Sequence, residues 1–362
     1  MHEELSGVWI MAYTTIDDPS AHFQPLVYTG GSGSLVRTFD GNSDLQPDWT
    51  WHKSRGQTYD HYLFDSTRGV GLYLKSNNAN GDDGTGGDTT SLTSFDSNGF
   101  TLPGGTGITD TGALIVCWAW KANGGTTTTN DASSTSVGTI DSVYQANTTA
   151  GFSIVTFTGT GSAGTIAHGL GSTPQVIITK DRGAVENWIM HHHTLGATFI
   201  MRMDDEVAKV DAASYNDTLP ASTVFSVDDG GNNQSGNTYV SYCFAEKQGY
   251  SKFGSYTGNN SNDGPFVYTG FKPAWVMIKN SSAASQWVII DAKRDPFNVT
   301  DARLRANTNA VEVTEGFFDF LSNGFKVRLT GTDKNDDGNV YIYMAFAEQP
   351  FVSSEGVPTT AR

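Results

Sequence analysis

The chain has 362 residues, of which 37% are hydrophobic, 17% charged and 12% aromatic, with 41 glycines and a formal net charge of −16. That acidity argues against nucleic acid and anionic membranes as partners, because both are met by basic surfaces. Few aliphatic residues with many rings and glycines exclude a disordered chain and point to a many-stranded protein with small polar turns.

Residues 1–24 read as a lead-in or attachment segment. Met1-His2-Glu3-Glu4 is acidic where a signal peptide is basic, and Val8 to Met11 is too short for its apolar region. No apolar run approaches the length of a membrane span, so membrane insertion is not expected.

From residue 25 one pattern occurs three times. Leu45-Gln46-Pro47-Asp48-Trp49-Thr50-Trp51-His52-Lys53 is followed by Thr173-Pro174-Gln175-Val176-Ile177-Ile178-Thr179-Lys180 and by Lys272-Pro273-Ala274-Trp275-Val276-Met277-Ile278-Lys279. Each copy opens on an aromatic-Thr-Gly turn: Tyr28-Thr29-Gly30, Phe157-Thr158-Gly159 and Tyr256-Thr257-Gly258. Each closes on an aromatic strand at Trp118-Ala119-Trp120, Tyr242-Cys243-Phe244 or Met344-Ala345-Phe346. A period of about a hundred residues suits a domain with its own core better than a solenoid unit.

The expected fold is therefore all-β: three tandem antiparallel β-sandwich (jelly-roll-like) domains at 25–122, 151–250 and 251–352. In the first, Asp48 to Lys53 alternates as a half-buried strand, and Tyr62 to Asp65 and Leu72 to Leu74 follow as strands. Asn77 to Asp88 reads as an exposed loop. Ser97-Asn98-Gly99 joins two strands as a tight hairpin, repeated at Ser322-Asn323-Gly324. Residues 123–150 form a Gly/Thr/Ser-rich linker, extended and mobile by composition. Asp204 to Tyr215 has the chain's helix-forming composition, and residues 353–362 are a polar tail. Cys117 and Cys243 lie in closing strands of separate copies, which predicts buried free thiols instead of a bridge.

Candidate chemistry is thin. Asp333, Asn335 and Asp337 with Gly338 match the first half of a calcium loop, yet Met344 stands where the bidentate Glu belongs. An Asp/Asn/Gly hairpin turn explains those residues equally well. The loops around Asp82, Asp83 and Asp88, and around Asp228 and Asp229, offer oxygen ligands with less pattern. In His191-His192-His193, strand alternation lets at most His191 and His193 converge, and no third ligand has matching spacing. There is no Gly-x-Ser-x-Gly elbow, and the glycines from Gly159 to Gly171 lack a phosphate-loop lysine. Trp49, Trp51, Trp188, Trp275 and Trp287 are either core rings or sugar-stacking platforms, and one of each alternating pair is expected in the core. No catalytic or cofactor-binding residue is assigned, and the expectation is a non-enzymatic surface built for contact.

Asp44-Leu45-Gln46-Pro47-Asp48-Trp49, His61-Tyr62-Leu63-Phe64-Asp65-Ser66-Thr67-Arg68-Gly69, Ser94 to Phe100 and Cys117-Trp118-Ala119-Trp120-Lys121 resemble a repeat common in structural and tail-fibre-like proteins of marine tailed phages. Met11-Ala12-Tyr13-Thr14-Thr15-Ile16 resembles the opening of such proteins. Copies two and three lack the Phe-Asp-Ser-x-Arg-Gly segment. The resemblance implies a virion component assembled in the host cytoplasm and released by lysis. Its partners would be other virion proteins, further copies of itself (a trimer) and a host surface glycan or protein. A capsid or tail decoration protein, and a carbohydrate-binding or glycan-cleaving module, are the alternatives.

Overall fold

The computed structural model describes residues 12–84, 91–105, 107–228 and 230–360, which form antiparallel sheets with only short helical turns. Each segment repeats one four-strand order, with the aromatic closing strand inside it. In the first segment the strands are Phe23–Thr29, Leu114–Trp120, Trp49–Ser54 and Tyr62–Asp65. The second has Phe152–Thr158, Thr238–Phe244, Val176–Asp181 and Ile189–His192. The third has Ser251–Thr257, Val340–Pro350, Phe271–Asn280 and Val288–Asp291. Register makes positions comparable: Lys53 lies opposite Val116, Lys180 opposite Val240, and Lys279 opposite Ile342.

Trp49 to Ser54 is buried at every position, not at alternate ones. The half-buried reading is corrected because both faces of this sheet are covered. Thr50, His52 and Ser54 turn toward the segment's own small sheet, while Trp49, Trp51 and Lys53 turn the other way. The face carrying Trp49 and Trp51 meets the matching faces of the other two segments. One cluster joins Trp49, Trp51, Trp118 and Trp120 to Phe152, Ile178 and Phe244, and to Trp275, Met277 and Phe346. Each segment also keeps a cluster of its own, around Phe64 and Phe100, around Phe225 and Tyr239, and around Phe318 and Phe325. The segments are thus not bodies with separate cores alone.

The predicted hairpins are present. Ser94–Asp96 pairs with Gly99–Leu102, and Val313–Leu321 with Gly324–Val327. Gly99 has φ +128°, and a Cβ there would meet the Arg37 carbonyl oxygen at 1.9 Å. The turn therefore needs glycine both for its backbone angle and for its close approach. Leu72 to Leu74 makes only isolated bridges, Leu63 with Leu74 and Tyr73 with Asp83. Asp204 to Tyr215 holds a short strand, Val210–Asp211, and a 3₁₀ turn, Ala213–Tyr215, instead of a helix. Cys117 and Cys243 are buried and free.

The linker reading of 123–150 is corrected as well. Thr128–Asn130 and Ser142–Asn147 are strands, and the latter pairs with Phe152–Thr158 along its outer edge. Polar composition concealed this, because the buried positions of these strands, Asn130, Ser142 and Gln145, are themselves polar. Gln145 is buried, and its amide donates to the hydroxyls of Ser66 and Thr67 at 2.8 and 2.6 Å. The described end of the lead-in reaches the third segment, where Tyr13 Oη donates to the Gly270 carbonyl at 2.8 Å, and the end of the second, where Thr14 Oγ1 donates to the Gln248 carbonyl at 2.7 Å. The tail folds back too: Thr359 Oγ1 meets Gln349 Oε1 at 2.6 Å, and Ser354 bonds the Asp17 carboxylate.

Candidate functional site: the seams between segments

Three lines of contact join the segments, and they close on themselves. The residue just before the fourth strand of each sheet donates a ring N–H to a carbonyl of the preceding segment. Trp188 Nε1 donates to Lys75 O at 2.9 Å, and Trp287 Nε1 to Arg202 O at 2.8 Å. In the first segment that position is His61, whose Nε2 lies 2.9 Å from Arg305 O. Backbone bonds follow the same cycle, from the amides of Asp82, Lys209 and Glu312 to the carbonyls of Arg182, Ser281 and Arg55, at 2.6, 3.1 and 2.7 Å.

The end of each fourth strand makes a second set of links. Asp65 accepts from Tyr242 Oη at 2.8 Å, and Asp291 accepts from Trp118 Nε1 at 2.9 Å. Arg68 and Arg294 hold these carboxylates at 2.5 Å, and all four side chains are fully buried. His192 takes the equivalent place in the second segment, with Nε2 at 3.2 Å from Tyr343 O. Copies two and three do lack the Phe-Asp-Ser-x-Arg-Gly segment as a sequence, but its chemistry is not confined to the first. Asp291-Ala292-Lys293-Arg294 rebuilds it in the third, with Arg294 N–H donating to Asp291 Oδ1 at 2.8 Å as Arg68 N–H does to Asp65 Oδ1.

Carboxylates brace two seams. Asp82 lies between Arg68 and Arg182 at 2.6 and 2.8 Å, and Glu312 between Arg55 and Arg294 at 2.6 and 2.9 Å. Beside each seam sits a fully buried lysine surrounded by oxygen. Lys180 Nζ donates to Asp181 O at 2.8 Å and Ala79 O at 3.0 Å, and Lys279 Nζ to Asn280 O at 2.9 Å and Glu206 O at 3.1 Å. Lys53 Nζ donates to Ser54 O at 2.7 Å and Gln57 O at 3.1 Å. Burial lowers each of the three ammonium groups to about 8.

The predicted ligands fall elsewhere. Asn335 is buried, its Oδ1 accepting from Asn259 N at 2.8 Å and its Nδ2 donating to Ser261 O at 2.7 Å. Asn233 holds Thr160 N and Ser162 O in the same way at 2.9 and 2.6 Å, so this asparagine is a turn clamp repeated between segments. Asp333 accepts from Gln286 N at 3.1 Å and lies 3.4 Å from Arg303, while Asp337 is exposed. Among the described residues, no group of three or more His, Cys, Asp or Glu is placed to hold a metal ion. Asp82 serves a seam and Asp83 pairs with Lys75; Asp88 and Asp229 lie outside the described residues.

His191 packs on Tyr215 inside the second segment, whereas the His192 and His193 rings stack at 5.3 Å. The strand stops at His192 and a 3₁₀ turn begins, which ends the alternation. Trp49, Trp51, Trp118, Trp120, Trp188, Trp275 and Trp287 are all nearly inaccessible, so both members of the Trp49/Trp51 pair are core. Exposed rings are instead Phe266, Tyr268 and Phe297 on the third segment, at 47%, 53% and 75%. A cleft of about 450 Å³ opens between the Phe23–Thr29 strand and the third segment, lined by Pro25, Asp40, Ala292, Lys293 and Glu348 among others.

The seams and the shared cluster define an all-β protein whose three similar sheets are fastened to one another in a closed cycle. The chain belongs to the family described as "Domain of unknown function (DUF7483)", whose model matches residues 18–350 and thus spans all three segments. No curated protein and no solved structure gives a significant match.

Proposed function

We propose that this chain is a non-enzymatic structural protein of a phage virion, tail-fibre- or adhesin-like, that is attached to the particle and contacts the host surface. In this reading its three segments are copies of one antiparallel sandwich closed into a ring, and the ring replaces three separate subunits. The observation that carries the reading is the cycle of equivalent seam bonds, which converts triplicated sequence into one rigid body presenting three similar ends. The sequence resemblance to tail-fibre-like repeats supports it from the other side. Immunogold labelling of particles, together with labelling of host cells and blocking of adsorption by the purified chain, tests it. Labelling of particles without any binding to cells would leave a decoration protein instead. Sedimentation of the purified chain distinguishes a trimer from a single chain that carries its own three copies.

Carbohydrate binding is the second reading, and one observation favours it. Phe266 and Tyr268 are exposed where the register-equivalent residues of the other segments are Val36 and Thr38, and Thr165 and Ala167. Two copies of the strand fold without those rings, although Tyr268 Oη also meets Tyr13 Oη of the lead-in at 3.1 Å. Paired aromatic faces on a polar surface suit the apolar face of a sugar ring. Glycan-array binding that disappears in Phe266→Ser and Tyr268→Ser supports this reading; unchanged binding removes it.

A further inference from the structure

The three seams are alike in layout but not in titratable chemistry. Between the first and second segments, the ring donors are Trp188 and the phenol Tyr242, which reaches Asp65. Between the second and third, Trp287 is joined by His192, and between the third and first, Trp118 is joined by His61. Both histidines therefore lie on seams of the third segment, as does His193, whose Nε2 lies 2.8 Å from Phe253 O. His22, which meets Asn147 Nδ2 at 3.1 Å and packs on Tyr250 of the second segment, is only half-buried and lies at the other edge of the first sheet.

Their hydrogen bonds fix the neutral tautomer. Trp51 Nε1 can only donate, so His61 Nδ1 accepts at 2.8 Å and the ring hydrogen sits on Nε2, facing Arg305 O. A proton added at Nδ1 would point at the indole N–H. His61 is fully buried, with Lys53 from its own sheet and Arg294 from the third segment as the nearby cations; Asp60 and Glu312 face Lys53. His192 Nδ1 accepts from Thr194 N at 3.4 Å and lies 2.9 Å from Thr194 Oγ1, which leaves Nε2 to donate to Tyr343 O. Its charged or titratable neighbours are His191 and His193, with Glu246 beside Tyr343.

We propose that protonation of His61 and His192 releases the third segment from the other two, while the seam between the first and second stays shut. Both imidazoles are neutral in the closed form: burial and then Lys53 push His61 well below 6.5, and burial pushes His192 to about 3. Opening hydrates each ring and restores its ordinary affinity for a proton. The closed seam is thus favoured above pH 6.5 and weakens as the pH falls below it, by up to about tenfold per pH unit for each histidine.

The amides of Asp82, Lys209 and Glu312 each cross one seam and serve as matched reporters. Hydrogen exchange of the full chain, followed by NMR between about pH 6.5 and 5, stays above the ordinary carboxylate range. After correction for intrinsic rates, exchange at Lys209 and Glu312 should accelerate with falling pH while Asp82 does not. Equal acceleration at all three, or none at Lys209 and Glu312, overturns the proposal. In His61→Gln the amide still accepts from Trp51 and donates to Arg305 O but does not titrate. Glu312 should then lose its acid response and Lys209 keep it; a retained Glu312 response also overturns the proposal. Should that variant fail to fold, the three-amide comparison in the unaltered chain decides.

Discussion

The indole N–H of Trp118 reaches the Asp291 carboxylate at 2.9 Å across 173 residues of chain, and Tyr242 reaches Asp65 at 2.8 Å across 177. Each carboxylate also holds an arginine three residues later, so one acid serves a turn and a seam together.

Trp118→Phe should destabilise the chain by about 1–3 kcal/mol, because a buried carboxylate loses a donor that no water replaces. Asp291→Asn weakens the same bond. In a double-mutant cycle read by denaturant unfolding, the pair should show about 1 kcal/mol or more of coupling. Strict additivity would mean that the bond does not join the segments energetically.

The three buried lysines make stability rise on the alkaline side. Each is lowered to about 8 from an ordinary 10.5, so between those values the unfolded chain holds a proton that the native chain has lost. Native stability therefore increases with pH across that window, by about 1–3 kcal/mol per lysine. Tyr28, Tyr242 and Tyr256 are raised well above 10.0 by burial, so above pH 10 the unfolded chain ionises first and stability falls again. Thermal melts should show a maximum near about pH 10. Lys180→Met should flatten the rise, and an unflattened rise would show that Lys180 keeps its ordinary affinity for a proton.

Gly99→Ala should cost at least about 2 kcal/mol, since the added methyl meets a carbonyl oxygen and the φ angle is unfavourable. Gly112→Ala shares a positive φ, +80°, but meets nothing within 4 Å, and should cost only about 1 kcal/mol. Equal losses in urea unfolding would place the whole effect in the backbone angle.

Calcium should not stabilise the chain, because the Asn335 side chain is already bonded to Asn259 and Ser261. Differential scanning fluorimetry with millimolar calcium and with chelator should give one midpoint. By contrast, Asn335→Ala should destabilise by about 1–3 kcal/mol, as a buried turn clamp does. A calcium-dependent midpoint that Asn335→Ala abolishes would reinstate the loop as a metal site.

What was legible in the sequence was local. Asn98-Gly99 and Asn323-Gly324 announced their hairpins, and both need glycine because a Cβ would meet the Arg37 carbonyl oxygen at 1.9 Å or the Val267 carbonyl oxygen at 2.1 Å. The triplicated proline strands and aromatic closing strands announced three similar sheets, and Cys117 and Cys243 announced two buried thiols. The seams were not legible. Trp188 and Trp287 share a letter and a similar place in their copies, but His61 differs from both, and only register shows that it does the same work. Residues 123–150 look like a linker because their strands bury polar side chains, Asn130, Ser142 and Gln145, whose partners lie elsewhere in the chain or in a neighbouring turn.

Side-chain alternation and turn chemistry are properties of a few neighbouring residues, so the amino-acid order alone determined that this chain is β and that it repeats. Which surface covers each sheet depends on residues more than a hundred positions away, and there only packing decides. Trp49 and Trp51 are apolar enough to require burial; the tertiary structure decided that the other two segments provide it.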